Sequence, residues 1–270
     1  MKIRTNALAG GILLGALFSV AIVSLFWTPF DPLGMNLRLR LSAPSAAHWL
    51  GTDEFGRDVL SRAMAGAATS LLVAALTVAL AVLCGTALGL VSGFFRGVTD
   101  RVLMVCNDAL LAFPGILLAL GVMVVVGANK YGIVVALAIA YTPNAVRLVR
   151  SAVLSLREKE YIEASRVIGN SELYTLLRHV LPNCAAPLLV LSTSMFGWVI
   201  LAESALSFLG LGVPPPAPTW GNMLSSGRPY IESAAWLGIA PGLCISLSLL
   251  GINLLGDALS DWFDPLMERH

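Results

Sequence analysis

Two carboxylates sit where carboxylates are unfavourable. Glu203 lies in the apolar run Val199-Ile-Leu-Ala-Glu-Ser-Ala-Leu, and Asp108 lies in Asp108-Ala-Leu-Leu-Ala-Phe-Pro114-Gly115. An acid inside an apolar span faces protein or a water-filled path, and it serves as a hydrogen-bonded tie or as a proton relay. For Glu203 the tie is the favoured reading, since mid-span offers it no basic partner. Other chemistry is sparse. His48, His179 and His270 lie in three unrelated places, so no metal cluster is expected. Cys84, Cys106, Cys184 and Cys244 form no C-x-x-C pair and read as small apolar fillers. Lys2, Lys130 and Lys159 are the three lysines, and none follows a glycine. Without a Gly-x-x-x-x-Gly-Lys-[Ser/Thr] loop the chain cannot cradle ATP as P-loop proteins do. It also lacks a Gly-x-Ser-x-Gly elbow and a His-Glu-x-x-His pair. No catalytic residue is expected, and any driving energy must come from a partner or an ion gradient.

The elements that hold these residues are set by composition. The 270-residue chain is 57% hydrophobic and 12% charged, against roughly 25% charged in a typical soluble domain. A soluble globule of that make-up would expose large apolar patches, so the sequence reads as an all-α integral membrane protein. A hydrocarbon core of about 30 Å takes about 20 apolar residues per helix. Six segments qualify: about 7–27, 68–93, 102–126, 131–149, 186–209 and 237–256. Helices are required because lipid cannot satisfy backbone N–H and C=O groups. The first segment is too long for a signal-peptide core and lacks a small-x-small cleavage site, so it reads as a retained span. The division expected is 1–67, a first span plus extracytoplasmic loop, and 68–270, a five-helix core. The net charge of +1 implies no nucleic-acid partner.

Orientation follows from the basic residues near span ends. With the N-terminus inside, the inner set is Lys2, Arg4, Arg96, Arg101, Arg147, Arg150, Arg157, Lys159, Arg166, Arg178 and Arg269. The outer set is smaller, and Arg38, Arg40, Arg57 and Arg62 of it lie in one long loop, where the rule is weakest. Both termini are therefore expected in the cytoplasm, with the polar island between the fourth and fifth spans.

That island runs through residues 160–182. Tyr161, Ala164, Ser165 and Ile168 fall at i, i+3, i+4, i+7, one face of a short helix. Gly169 follows where a helix would end, since glycine takes the left-handed cap without steric cost. Leu173, Leu176, Leu177 and Val180 repeat the spacing, and Pro182 sits just past them. The sequence predicts helix, glycine elbow, helix: a docking surface for something in the water.

Further features admit two readings each. Gly85, Gly89, Gly93 and Gly97 recur every four residues and let two helix backbones approach closely, within the chain or across a subunit boundary. Pro114 and Pro143 are expected to bend the third and fourth spans, as static kinks or as walls of a moving path. Val59, Leu60, Ala63, Met64 and Ala67 suggest an interfacial helix before the second span. Trp220, Tyr230 and Trp236, beside the proline run at 214–218, suit membrane-interface anchors or a rigid outer rim.

The island resembles the "EAA" loop of ABC importer permeases, through Glu163-Ala164-Ser165, Gly169 and Val180-Leu181-Pro182. Ser165 and Val180 depart from that family's Ala and Ile but keep their size. Leu50-Gly-Thr-Asp-Glu-Phe-Gly-Arg-Asp-Val-Leu-Ser-Arg resembles the signature of the C-type subunit in the dipeptide, oligopeptide and nickel branch. The stretch 206–221 and the tail from Gly256 through Asp264-Pro265 are similar to the same branch. The resemblance implies a type I permease of six spans that binds no cofactor itself, ATP and Mg residing on two cytoplasmic ATPases. A second, related permease and a periplasmic solute-binding protein complete the assembly, in the bacterial inner membrane. It implies docking through Tyr161, Glu163, Ala164, Ser165, Ile168, Gly169, Leu181 and Pro182; the bent spans and the acids within them suggest a path near Asp108, Pro114, Pro143 and Glu203. The solute implied is a di- or oligopeptide, or a nickel chelate or other small solute. A self-sufficient ion-coupled carrier is the rival from another class.

Overall fold

The computed structural model describes residues 2–263, apart from the side chains of residues 2–4 and 166. Ten helices are found there: α1 Lys2–Ser24, α2 Val59–Phe95, α3 Gly97–Leu111, α4 Gly115–Val126, α5 Lys130–Leu156, α6 Glu160–Val167, α7 Glu172–Thr175, α8 Ala185–Phe208, α9 Trp220–Gly227 and α10 Trp236–Phe263. Helices α1, α2, α5 and α10, and the run Glu172–Phe208, are each long and apolar enough to cross a membrane. Helices α3 and α4 form a sixth candidate that is bent by 95°. The straight span expected over 102–126 is therefore broken. Pro114 is the N-cap of α4, where its missing N–H is no loss, and the chain turns just before it. Pro143 lies buried inside α5, which continues past it as one helix.

Local signals place the ends. Asp58 caps α2, its Oδ2 accepting from the Ser61 backbone N–H at 2.8 Å. Asn129 caps α5 by accepting from the N–H groups of Tyr131 and Gly132. Thr219 and Asn222 form a reciprocal capping box at the start of α9. The interfacial helix expected over 59–67 is not separate; those residues are the first turns of α2, and Val59, Ala63 and Ala67 are buried.

The main core joins α2, α4, α5 and α8, with Trp220 of α9 seated in it. One end of the bundle closes with Val59, Ala63, Met223, Ala234 and Leu237. The opposite end closes with Phe94, Val153, Ile162, Leu176 and Val180. Helix α2 packs along α5 through the glycine stripe. A Cβ on Gly89 would fall 2.7 Å from Val149 Cβ, and one on Gly93 would fall 2.8 Å from Val153 Cβ. Gly85 faces Ala145 in the same way. The stripe is thus spent on packing inside the chain, for three of its four members. Gly97 meets nothing within 4 Å and starts α3.

The long loop before α2 is held by charges turned inward. Asp53 accepts from the backbone N–H groups of Phe55 and Arg57, both at 2.9 Å. Its other oxygen meets Arg57 Nε at 2.6 Å and Arg62 Nε at 3.3 Å. Trp236 Nε1 donates to Thr52 O at 3.1 Å, fastening the loop to α10. Asp53, Arg57 and Arg62 thus support one another, while Asp58 is held by Ser61 and His48.

Candidate docking surface

The chain between α5 and α8 is the sequence island. Helix α6 presents Tyr161, Glu163, Ala164, Val167 and Ile168 outward and Ile162 and Ser165 inward. Gly169 ends it at φ +91°, and a Cβ there would meet nothing within 4 Å. The requirement for glycine at 169 is therefore one of backbone conformation alone, worth about 1–2 kcal/mol for a residue with a side chain. Ser171 restarts the helix, accepting from the Tyr174 backbone N–H at 3.2 Å. The second arm does not stop at Pro182. One helical turn of π type over Leu176–Val180 and a 3₁₀ turn over Leu181–Cys184 carry it into α8. Pro182 sits at the start of that 3₁₀ turn, where its missing N–H is tolerated.

Two expected faces divide. Tyr161, Ala164 and Ile168 are exposed, Ile168 by 79%, but Ser165 is buried. The Ser165 hydroxyl lies 3.0 Å from Thr175 Oγ1 and accepts from Asn170 Nδ2 at 3.1 Å, which closes the elbow. Likewise Leu176 and Val180 are buried while Leu173 and Leu177 are exposed. The residue that sequence reasoning missed is Ile162, fully buried against the ends of α2 and α5. Its signal is the inward pair Ile162 and Ser165 at i, i+3, overshadowed by the longer apolar run beside it. What remains outside is an exposed apolar patch: Tyr161, Val167, Ile168, Leu173, Tyr174 and Leu177. A shallow cavity of about 420 Å³ opens among Ser171, Leu173, Tyr174, Leu177 and Arg178.

Of the four residues expected along a path, Asp108, Pro114 and Pro143 lie on α3, α4 and α5, which pack together, and Glu203 lies apart on α8. Asp108 pairs with Arg147 at 2.8 Å, both about half exposed. Beside it Asp100 accepts two hydrogen bonds from Arg150, at 2.7 and 2.8 Å. Glu203 is 1% exposed. Its Oε1 accepts from Ser207 Oγ at 2.7 Å, and its Oε2 makes no well-formed hydrogen bond although the Thr219 and Ser70 hydroxyls are its neighbours. Close by, Gly221 of α9 lies against Ser204 and Ser207. Trp220 N donates to Ser70 Oγ at 3.2 Å and Trp220 Nε1 to Ala63 O at 3.1 Å. So Glu203 stands under the seat of α9, near the start of α2, and Asp108 stands near the opposite end. Trp220 is fully buried and is no interface anchor. Among the described residues no group of three or more His, Cys, Asp or Glu could hold a metal ion.

Comparison with known proteins decides the class. The family of binding-protein-dependent transport system inner membrane components matches residues 85–269. A dipeptide transport system permease of Alkalihalophilus pseudofirmus is 42% identical over 268 residues, 99% of this chain and 88% of that protein. A di/tripeptide transport system permease of Pseudomonas aeruginosa is 44% identical over 270 residues, 96% of this chain and 89% of that protein. A glutathione transport system permease of Pectobacterium atrosepticum is 40% identical over 263 residues, 97% and 87% of the two chains. The chain belongs to this family. It is a permease subunit of an ABC importer.

The permease is a multi-pass protein of the bacterial inner membrane and not an enzyme; hydrolysis of ATP falls to separate ATPase subunits. It works with an ATPase and a binding protein. The tail resemblance at Asp264-Pro265 lies outside the described residues, while its start, Gly256, is within α10.

Proposed function

We propose that the elbow is where an ATPase grips the permease, and that the exposed face of Tyr161, Ala164 and Ile168, with Glu163 as a charged anchor, seats in that ATPase. The observation that carries this reading is the divided elbow: Ile162 and Ser165 buried inward, Ile168 and Val167 standing 79% and 82% exposed outward. An aqueous helix pair does not hold isoleucine and valine in water without a partner to cover them. The basic bias of the sequence puts this end in the cytoplasm, with both termini, where ATP is available. ATP and Mg are bound by two such ATPases, this chain itself holding no cofactor. A second, related permease completes the path, and a periplasmic binding protein delivers solute at the far end.

The solute is a di- or oligopeptide. Dipeptide, di/tripeptide and glutathione permeases, the last serving a tripeptide, stand at 40–44% identity over nearly the whole chain. Mechanically the complex alternates. Closure of the ATPases is a rigid-body move, and it shifts the population between inward- and outward-facing states by as much as nucleotide binds them differently. Gly169 and the Ser165–Thr175 contact keep the elbow in one shape, so the move is passed on and not absorbed.

The test is Gly169→Val in the complete importer, reconstituted in liposomes with its binding protein. A β-branched side chain in a left-handed position is strained whatever the space around it. ATP hydrolysis is expected to continue while dipeptide uptake falls at least tenfold, with the subunit still inserted. Uptake at the parental rate would overturn the docking reading.

A further inference from the structure

Helices α2 and α5 run side by side in the same direction, and their register is regular: Gly85 faces Ala145, Gly89 faces Val149, and Gly93 faces Val153. One more step would pair 97 with 157. At that step both helices stop. Helix α2 ends at Phe95, and Arg96 and Gly97 take φ of 51° and 67°. Helix α5 ends at Leu156. Arg157 occupies the vacated step. Its Nη1 donates to Phe94 O at 2.7 Å and to Gly93 O at 3.3 Å. Its guanidinium carbon lies 5.7 Å from the centre of the Phe94 ring. Those carbonyls belong to the last turn of α2, which no residue of the helix itself can satisfy. They are also the negative end of its dipole, where a cation is favoured. Arg157 keeps its place at the end of α5 through its own N–H, bonded to Val153 O at 3.0 Å. Three residues later α6 begins, and Ile162 enters the cluster that holds Phe94 and Val153.

We propose that Arg157 is a positioning residue that pins the elbow to the end of α2, so that α2, α5 and α6 move as one body. The proposal rests on the docking reading above for the source of the motion. Its consequence is that a displacement at the elbow is delivered along the 37 residues of α2, a lever of about 55 Å. That lever ends at the Asp53, Arg57 and Arg62 cluster on the opposite side of the membrane. Without the pin, the turn at 157–159 yields and the stroke is lost there. Lysine cannot replace the arginine fully: one nitrogen, Nη1, meets both carbonyls, which an ammonium could also do, but an ammonium lacks the planar guanidinium that lies over Phe94.

The complete importer is prepared with spin labels at 95 and 160, replacing Phe95 and Glu160, both exposed. In the parent, one narrow distance distribution is expected, unchanged between nucleotide-free and ATP-trapped states. In Arg157→Gln it is expected to broaden on ATP trapping, with uptake down at least tenfold and ATP hydrolysis retained. Arg157→Lys should fall between the two. Parental uptake or an unbroadened distribution in Arg157→Gln would overturn the pin, as would loss of the ATPase from that complex or full recovery in Arg157→Lys. A cysteine cross-link from position 168 to the ATPase separates the two readings. Its absence in the parent sinks the docking reading, while the label distances still judge the pin.

Discussion

Residues 29–58 and residues 157–184 are the two polar connections at opposite ends of α2, and they solve opposite problems. The first turns its charges in. Asp53, Arg57, Asp58 and Arg62 are all buried and bonded to one another or to nearby backbone. The second turns its apolar side chains out: Ile168, Leu173 and Leu177 are more than half exposed. In sequence both look like hydrophilic breaks between spans. Both leave apolar side chains exposed, Leu37 and Trp49 among them in the first; what separates them is that the first is braced by a buried ion cluster, whereas the second is closed by the neutral contacts of Ser165, Asn170 and Thr175.

The loop depends most on Asp53. Asp53→Ala leaves two buried guanidinium groups without their carboxylate, a loss of about 3–5 kcal/mol for a buried pair stripped of one partner. A marked fall in the thermal stability of the purified subunit is expected, with ATPase binding unchanged in whatever folds; an unchanged melting temperature would show that the loop does not hold itself together.

At the elbow the same substitution should act differently on the two faces. Ile162→Ala removes a fully buried side chain and should destabilise the elbow by about 2–5 kcal/mol, toward the lower figure because short α6 can settle. Ile168→Ala trims a side chain that is 79% exposed and should leave the subunit's stability nearly as it was. Co-purification of the ATPase should fall in Ile168→Ala. If it falls equally for an exposed residue on the loop side, such as Trp49→Ala, the outward face is not special.

The smallest effect is expected at Glu54 in the loop. Burial holds its carboxyl above the usual glutamate range, against the pull of Arg57 and Arg62. A raised acid pKa means the folded loop binds its proton more tightly than the unfolded one. Its contribution therefore declines as pH rises from the ordinary glutamate value through the raised one. Glu54→Gln should remove that slope and leave stability at neutral pH equal or slightly higher, read from melting curves between pH 4 and pH 8. A lower melting temperature at pH 7 would mean that the 3.4 Å contact with Arg57 outweighs the burial.

Much of this was legible from the sequence, for reasons tied to particular residues. The spans are legible because lipid demands long apolar helices, and the elbow's turn because Gly169 has no substitute at its φ. Which side of the elbow faces in was not legible. Two apolar sets interleave there, and only the tertiary packing of Ile162 on Val153 and Phe94 chooses between them. Trp220 escaped because an aromatic near a span end fits an interface and a core equally well. The pairing of Asp108 with Arg147 crosses 39 positions and leaves no local pattern. The break between α3 and α4 was half visible: Pro114 marked it, but nothing nearby distinguishes a kink from a right angle.

That right angle bears on how the protein is assembled. Helix α4 has 12 residues, about 18 Å of helix, too short to reach across the bilayer unaided. Its companion α3 carries Asp100 and Asp108, and the arginines that neutralise them, Arg150 and Arg147, are encoded some 40–50 residues downstream on α5. During synthesis the α3–α4 arm therefore emerges with two unpaired carboxylates, and their arginine partners follow only with α5.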